Sequence, residues 1–264
     1  MLASGAKQLD ETNLNALVAS PSTGNPRFLL TVLDELRQHG EHFTLRALID
    51  SLVAAPGMPA LLGQVLDRYE RDFEGDRPGL VGDVLRAVWA ARYGLAETEL
   101  LDLLTPGPDA LPQRIWAPLH VAAERLLVGR GGLLGFAHVD FRQAVEGRYL
   151  TTAEWRRAAH QNLARYFAGQ PLGTRVADEL GWQWAEAGDS VGLRATLADL
   201  DWVALAYARN PYDLRRLWHR LTPDVADELV AAYAPVLAAP ADHDDGQLVW
   251  GVARLLADAG ASEP

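Results

Sequence analysis

Apolar residues recur at three- and four-residue intervals along almost the whole chain, and that period restricts it to a mainly helical fold. In "PRFLLTVLDELRQHG", Leu29, Leu30, Val32, Leu33 and Leu36 follow this spacing. Pro26 suits a first helical turn and Gly40 a C-terminal stop. Further helices are expected over 45–53, 58–73 and 80–93, then within "GLAETELLDLL" and "QRIWAPLHVAAERLL". The pattern resumes over 141–150, 152–167, 176–187, 190–197, 202–208, 211–221, 223–237 and 247–259. Thr222-Pro223 reads as an N-cap followed by a first-turn proline.

One stretch breaks the period. Two short apolar runs, 126–130 and 133–139, flank Gly131-Gly132. A primed two-residue turn needs positive φ, which glycine supplies, so this is a hairpin signal. Three helices followed by a hairpin is the winged-helix layout, and "EGDRPG" punctuates the chain ahead of it. Three domains are therefore expected: a helical domain over 1–75, a winged-helix domain over 76–150, and a helical region over 151–264. In the last, short helices joined by loops of two to five residues suggest solenoid-like helical hairpins. No clean period of about 34 residues marks tetratricopeptide repeats proper.

The 264 residues suffice for two or three such domains. No uncharged apolar run reaches the roughly 18 residues of a membrane span, and the N-terminus lacks a signal pattern. The chain has no cysteine, which excludes disulfides and thiolate metal sites and fits a cytoplasmic protein.

Charge and motifs exclude several functions. The net charge is −11, which disfavours nucleic acid unless a basic face is concentrated somewhere. Residues 76–150 hold eight arginines against nine carboxylates, so the winged-helix region offers no attraction for phosphate. Lys7 is the one lysine, in "SGAKQ", so no phosphate-binding G-x-x-x-x-G-K-[ST] loop is present. No G-x-S-x-G, H-E-x-x-H or G-x-G-x-x-G pattern occurs either. The chain is expected not to be an enzyme by itself.

Other clusters have structural explanations. Asp242, His243, Asp244 and Asp245 precede a helix, but Gly246 stands where an EF-hand needs its third acidic ligand. They read as a solvated loop before a helix N-terminus, where negative charge is favoured. Most of the eight tryptophans fall at apolar helical positions and are expected in cores. Trp182 and Trp184 cannot share a helix face, so one of them should pack between neighbouring helix pairs. In "GFAHVDFRQAV", Asp140 is expected to cap a helix from Phe141. His138 lies just before that helix N-terminus, where anions such as phosphate are attracted.

Two segments carry a family resemblance. "GNPRFLLTVLDELRQHG" (24–40) resembles the segment after the ATPase core of STAND-class signalling ATPases, the NACHT/NB-ARC-like group. There a G-x-P motif opens a helical lid. "GFAHVDFRQAVEGRYL" (135–150) resembles the end of that group's winged-helix domain, F-x-H-x-[ST]-F-x-E. "YGLAETELLDLL" looks like its "GLSEEEL" stretch. The resemblance covers 1–150 best, so 1–75 would be the lid. It implies a fragment lacking the upstream P-loop core, and an ending that precedes a repeat array. The chain would be the regulatory module of a nucleotide-dependent switch.

By the same resemblance Pro26 would line the adenine pocket, Gly24 and Asn25 would shape the turn into the lid, and His138 would contact the β-phosphate of ADP. ADP or ATP would belong to the full-length parent, with none held stably by this chain. Its partners would be the upstream core and downstream repeats, another protein, and further copies on activation, with neither nucleic acid nor membrane. Asp140 replaces the usual Ser or Thr, Gln143 the usual Glu, and Ala137 a frequent Met. Two alternatives stand beside this reading: a protein-interaction scaffold without a nucleotide role, and a winged-helix DNA-binding transcription regulator.

Overall fold

The structure is a computed structural model that describes residues 9–40, 43–105, 111–239 and 246–258. Among them are fifteen α-helices, one 3-10 turn and three short strands. The molecule is mainly α, as its periodicity dictates. No described helix is long and apolar enough to cross a membrane.

Two compact units divide the chain, one formed by 1–85 with 104–149 and the other by 86–103 with 150–264. Residues 76–150 contribute to both.

The first unit begins with α1 (Glu11–Ala19), which the sequence reading passed over. Asp10 caps it by accepting from the Asn13 amide at 2.7 Å. Its apolar residues are not gathered on one face: Leu17 is buried and anchors it, whereas Leu14 and Val18 are exposed. Helices α2 (Pro26–Gln38), α3 (Leu45–Val53) and α4 (Met58–Phe73) follow. Phe28, Val32 and Leu36, four apart on α2, pack with Ile49, Leu52 and Leu61 in one core. Glu35 shares that face and is 5% exposed. Arg68 of α4 neutralises it with a forked contact (Nη2 to Oε1 at 2.8 Å) and also donates to Gln38 Oε1 at 2.9 Å. This geometry suits a buried ion pair.

Helix α7 (Gln113–Ala123) buries Trp116 completely. Tyr69 Oη of α4 donates to its Ala122 carbonyl at 2.8 Å. Strands β2 (Leu127–Arg130) and β3 (Leu133–Phe136) pair antiparallel, Leu127 opposite Phe136 and Arg130 opposite Leu133. Gly131 and Gly132 have φ of 59° and 81°, so the primed turn forms as expected. Helix α8 (Val139–Tyr149) buries Phe141 and Val145 and ties itself to α4. Arg148 donates to Asp67 at 2.6 Å and to both Glu70 oxygens at 2.6 and 2.9 Å. The hydrogen bond from Arg148 holds the Glu70 carboxyl below the usual range, although burial acts the other way.

Helix α5 (Leu80–Ala90) was expected to reach residue 93 and stops three residues earlier. The cause lies in the second unit, in a completely buried glutamate. Glu179 sits on α10 (Thr174–Ala187), and its carboxylate accepts from the Arg92 amide at 3.1 Å and the Tyr93 amide at 3.2 Å. Those amides are withdrawn from helical bonding, and Gly94 turns the chain with φ of 93°. Gln183, also wholly buried, donates to the Ala90 carbonyl and to Glu179, and its oxygen meets His160 Nδ1 at 2.8 Å. Arg175 forks onto Glu99 of α6 (Glu97–Leu103) at 2.8 and 2.9 Å. Burial alone would lower the Arg175 pKa, but Glu99 and Glu179 raise it on balance. Residues 86–103 are thus tied polar group by polar group to the later helices. The short strand β1 (Leu95–Ala96) lies within this segment and was not anticipated.

The rest of the second unit is a succession of paired helices. A five-residue connection folds α10 back onto α9 (Ala153–Ala168), and α11 (Ser190–Ala198), α12 (Leu200–Arg209), α13 (Pro211–Leu221), α14 (Val225–Ala238) and α15 (Gly246–Asp258) follow. Gly192 lets α11 approach the Trp184 ring, so Trp184 is the tryptophan that packs between helices. Trp182 instead lies beneath the Arg92 guanidinium at 4.9 Å. Trp116, Trp202 and Trp218 are core residues, whereas Trp155 and Trp250 are more than half exposed.

The start of α14 differs from expectation. Thr222 closes α13 instead of capping α14. Its hydroxyl accepts from the Asp224 amide at 3.2 Å, so Pro223 lies outside the helix and α14 begins at Val225.

Candidate functional site

The sequence singles out two short segments of the first unit, and the fold brings them to one cavity. The first is the start of α2. Asn25 is extended (φ −83°, ψ 117°), and its side chain accepts from the Arg27 amide at 3.0 Å. Pro26 fills the first helical position, where no amide partner is lost. The second is the start of α8, and here one expectation fails. The helix begins at Val139, so His138 occupies the N-cap position and its carbonyl accepts from the Arg142 amide at 3.3 Å. Asp140 lies inside the first turn. It does not cap; its Oδ2 accepts from Arg27 Nη1 at 2.5 Å. A first-turn carboxylate can favour the helix through its dipole while pairing outward with a cation.

Arg27, Met58, Leu62, Arg125, His138 and Asp140 line a cavity of about 340 Å³. Gly24, Asn25 and Pro26 are exposed and do not line it, so the α2 segment reaches the cavity through Arg27 and not through the proline. His138 is exposed at the rim. Arg27 and Arg125 line the same space as Asp34, Glu124 and Asp140. Both arginines are engaged, Arg27 with Asp140 and Arg125 with Asp34 at 3.2 Å. His138 is the one imidazole that lines the space. Each guanidinium pairs through one nitrogen, Arg27 through Nη1 and Arg125 through Nε, and keeps further N–H donors.

No group of three or more His, Asp or Glu suited to a metal occurs among the described residues. Asp242, His243, Asp244 and Asp245 lie outside them.

Sequence reasoning overlooked Arg27, Arg125 and the buried chain Arg175–Glu179–Gln183. The last had a legible signal. Charged or amide residues at four-residue spacing lie among Val176 and Leu180 on the apolar stripe of one helix, and such positions are rarely polar without a specific partner.

No family model matches the chain, and no solved structure does. Among curated proteins, a TPR repeat-containing protein of Dictyostelium discoideum is 32% identical over 218 residues, which is 82% of this chain and 13% of that protein. The chain therefore spans about an eighth of the relative it matches.

Proposed function

We propose that this chain is a non-catalytic, helical protein-interaction module of a longer protein. The similarity to a TPR repeat-containing protein over most of the chain carries this reading. TPR repeats generally mediate protein–protein contact, and the successive helix pairs of 151–264 form the kind of architecture that presents side chains to a partner. The test is reconstitution with a partner captured from the native cell. A saturable complex of defined stoichiometry between the purified chain and the purified partner is expected. Failure to saturate with every captured protein overturns the reading.

A second reading has one observation in its favour: Arg27 and Asp140 join the starts of α2 and α8 beside the cavity that His138 lines. In it the chain is the regulatory module of a STAND-type switch. An upstream ATPase core presents ADP to the winged-helix region, His138 holds the phosphate, and exchange for ATP releases the contact. Pro26 would line the adenine pocket only after moving toward a base held by that core. In a full-length parent, His138→Ala then accelerates ADP release severalfold, whereas unchanged release or an upstream sequence without GK[ST] removes the reading. Against this reading, the two arginines of the cavity meet three carboxylates, Asp34, Glu124 and Asp140, a lining that offers an anion little attraction.

A further inference from the structure

We propose that the outer face of α13 docks an acidic peptide segment of a partner protein; this rests on the interaction reading above and names the surface and the chemistry. The face is Tyr212, Arg215, Arg216 and His219, at i, i+3, i+4 and i+7, which form one stripe along the helix. All four are exposed, with Tyr212 at 78%. The opposite stripe, Leu214, Leu217 and Trp218, is buried.

The pairing of the neighbouring arginines sets this stripe apart. Across α10 to α12 each arginine is matched to a carboxylate: Arg175 to Glu99, Arg194 to Glu228, and Arg209 to Asp178. On α13 itself Arg220, off the stripe, is matched to Glu186. Arg215 and His219 have no side-chain hydrogen bond or ion pair among the described residues. Arg216 approaches Asp213 only to 3.7 Å and remains 70% exposed. Asp213 is already engaged, accepting from Arg92 at 2.7 Å and Asn210 at 2.9 Å. Among the described residues of this net-acidic chain, α13 thus sets Arg215, Arg216 and His219 in one exposed row beside an aromatic ring, and only Arg216 has a carboxylate in reach, at 3.7 Å.

Complementarity fixes the occupant. The stripe is about 10 Å long at 1.5 Å per residue. Side chains of an extended peptide share a face two residues apart, so that matches a run of about five residues, an apolar side chain on the Tyr212 ring followed by two carboxylates on the same face. A nucleic acid fits less well. Its affinity grows with the number of phosphates neutralised, and only two arginines and a histidine are offered.

The probe is a fluorescein-labelled twelve-residue Ala/Ser peptide carrying one Leu-Ala-Glu-Ala-Glu run, titrated with the whole chain at low and moderate salt. Saturable binding that weakens with salt is expected. The Arg215→Glu/Arg216→Glu variant should lose roughly tenfold, each exposed charge contributing on the order of a threefold factor. Tyr212→Ala should lose severalfold, and Arg157→Glu on α9 should change nothing. An unchanged thermal melt of the double variant shows that its fold is intact. Equal affinity of wild type and double variant overturns the proposal. So does tighter binding of a single-stranded DNA of equal length. If a captured partner protein binds the double variant as well as wild type, this surface is wrong and the interaction reading stands. If no partner saturates the wild type, both fall.

Discussion

At the scale of single residues, the informative substitution is Glu179→Ala. It leaves the Arg92 and Tyr93 amides and Gln183 without their acceptor in a fully buried position. Removing one member of a buried charged network costs about 3–5 kcal/mol, read as a shift in the urea midpoint. Arg27→Ala breaks a contact whose side chains are 50% and 30% exposed, and should change stability by less than about 1 kcal/mol in the same assay. Glu70 supplies a pH dependence. Its pKa is lowered in the folded state, so the folded protein favours the ionised carboxyl. The stabilisation is therefore complete above the ordinary value of 4.5 and lost as pH falls through and below it. Glu70→Gln should flatten the decline of the melting temperature between roughly pH 5 and pH 3. An unaltered slope would show that the Arg148 contact contributes nothing in solution. Of the site residues, Pro26 was legible as a helix start because its fixed φ suits a first turn, whereas the Asn25 cap was not read from the sequence. Arg27 was not, because its partner lies 113 positions away.

At the scale of elements, α3, α4 and α13 have the bounds their sequences announce, since Pro, Gly or Asn brackets each apolar stripe. Helix α5 ends early for a reason that its own residues do not contain, the competing carboxylate of Glu179. Helix α8 starts two residues earlier than Asp140 suggested, because a histidine carbonyl opens it without a side-chain cap. Close approach of helices is equally hidden. A β-carbon on Gly192 would come within 2.6–2.9 Å of the Trp184 ring, so Gly192→Ala should cost about 1–3 kcal/mol by calorimetry. A silent substitution there would mean that α10 and α11 pack less closely.

At the scale of the whole molecule, the periodicity made the mainly α class legible. Chain punctuation could not show that residues 86–103 belong with the helices after 150, because that grouping rests on buried hydrogen bonds between distant positions. A fragment of 151–264 lacks the Arg92 and Tyr93 amides bound by Glu179 and the Ala90 carbonyl bound by Gln183, and should melt well below one of 86–264. Equal melting temperatures would show that the segment is dispensable. The overall charge of −11 leads to a second expectation: no shift of duplex DNA at about 150 mM salt, in an electrophoretic assay.

The same network orders events during synthesis. Arg92 leaves the ribosome 87 residues before Glu179. At about 5–20 residues per second that is an interval of roughly 4–17 s. The first unit has all its residues once Tyr149 has emerged, whereas the turn after α5 must wait through that interval with its amides bonded only to water. The second unit is therefore the part of the nascent chain whose closure a slow ribosome delays and a holding chaperone prolongs.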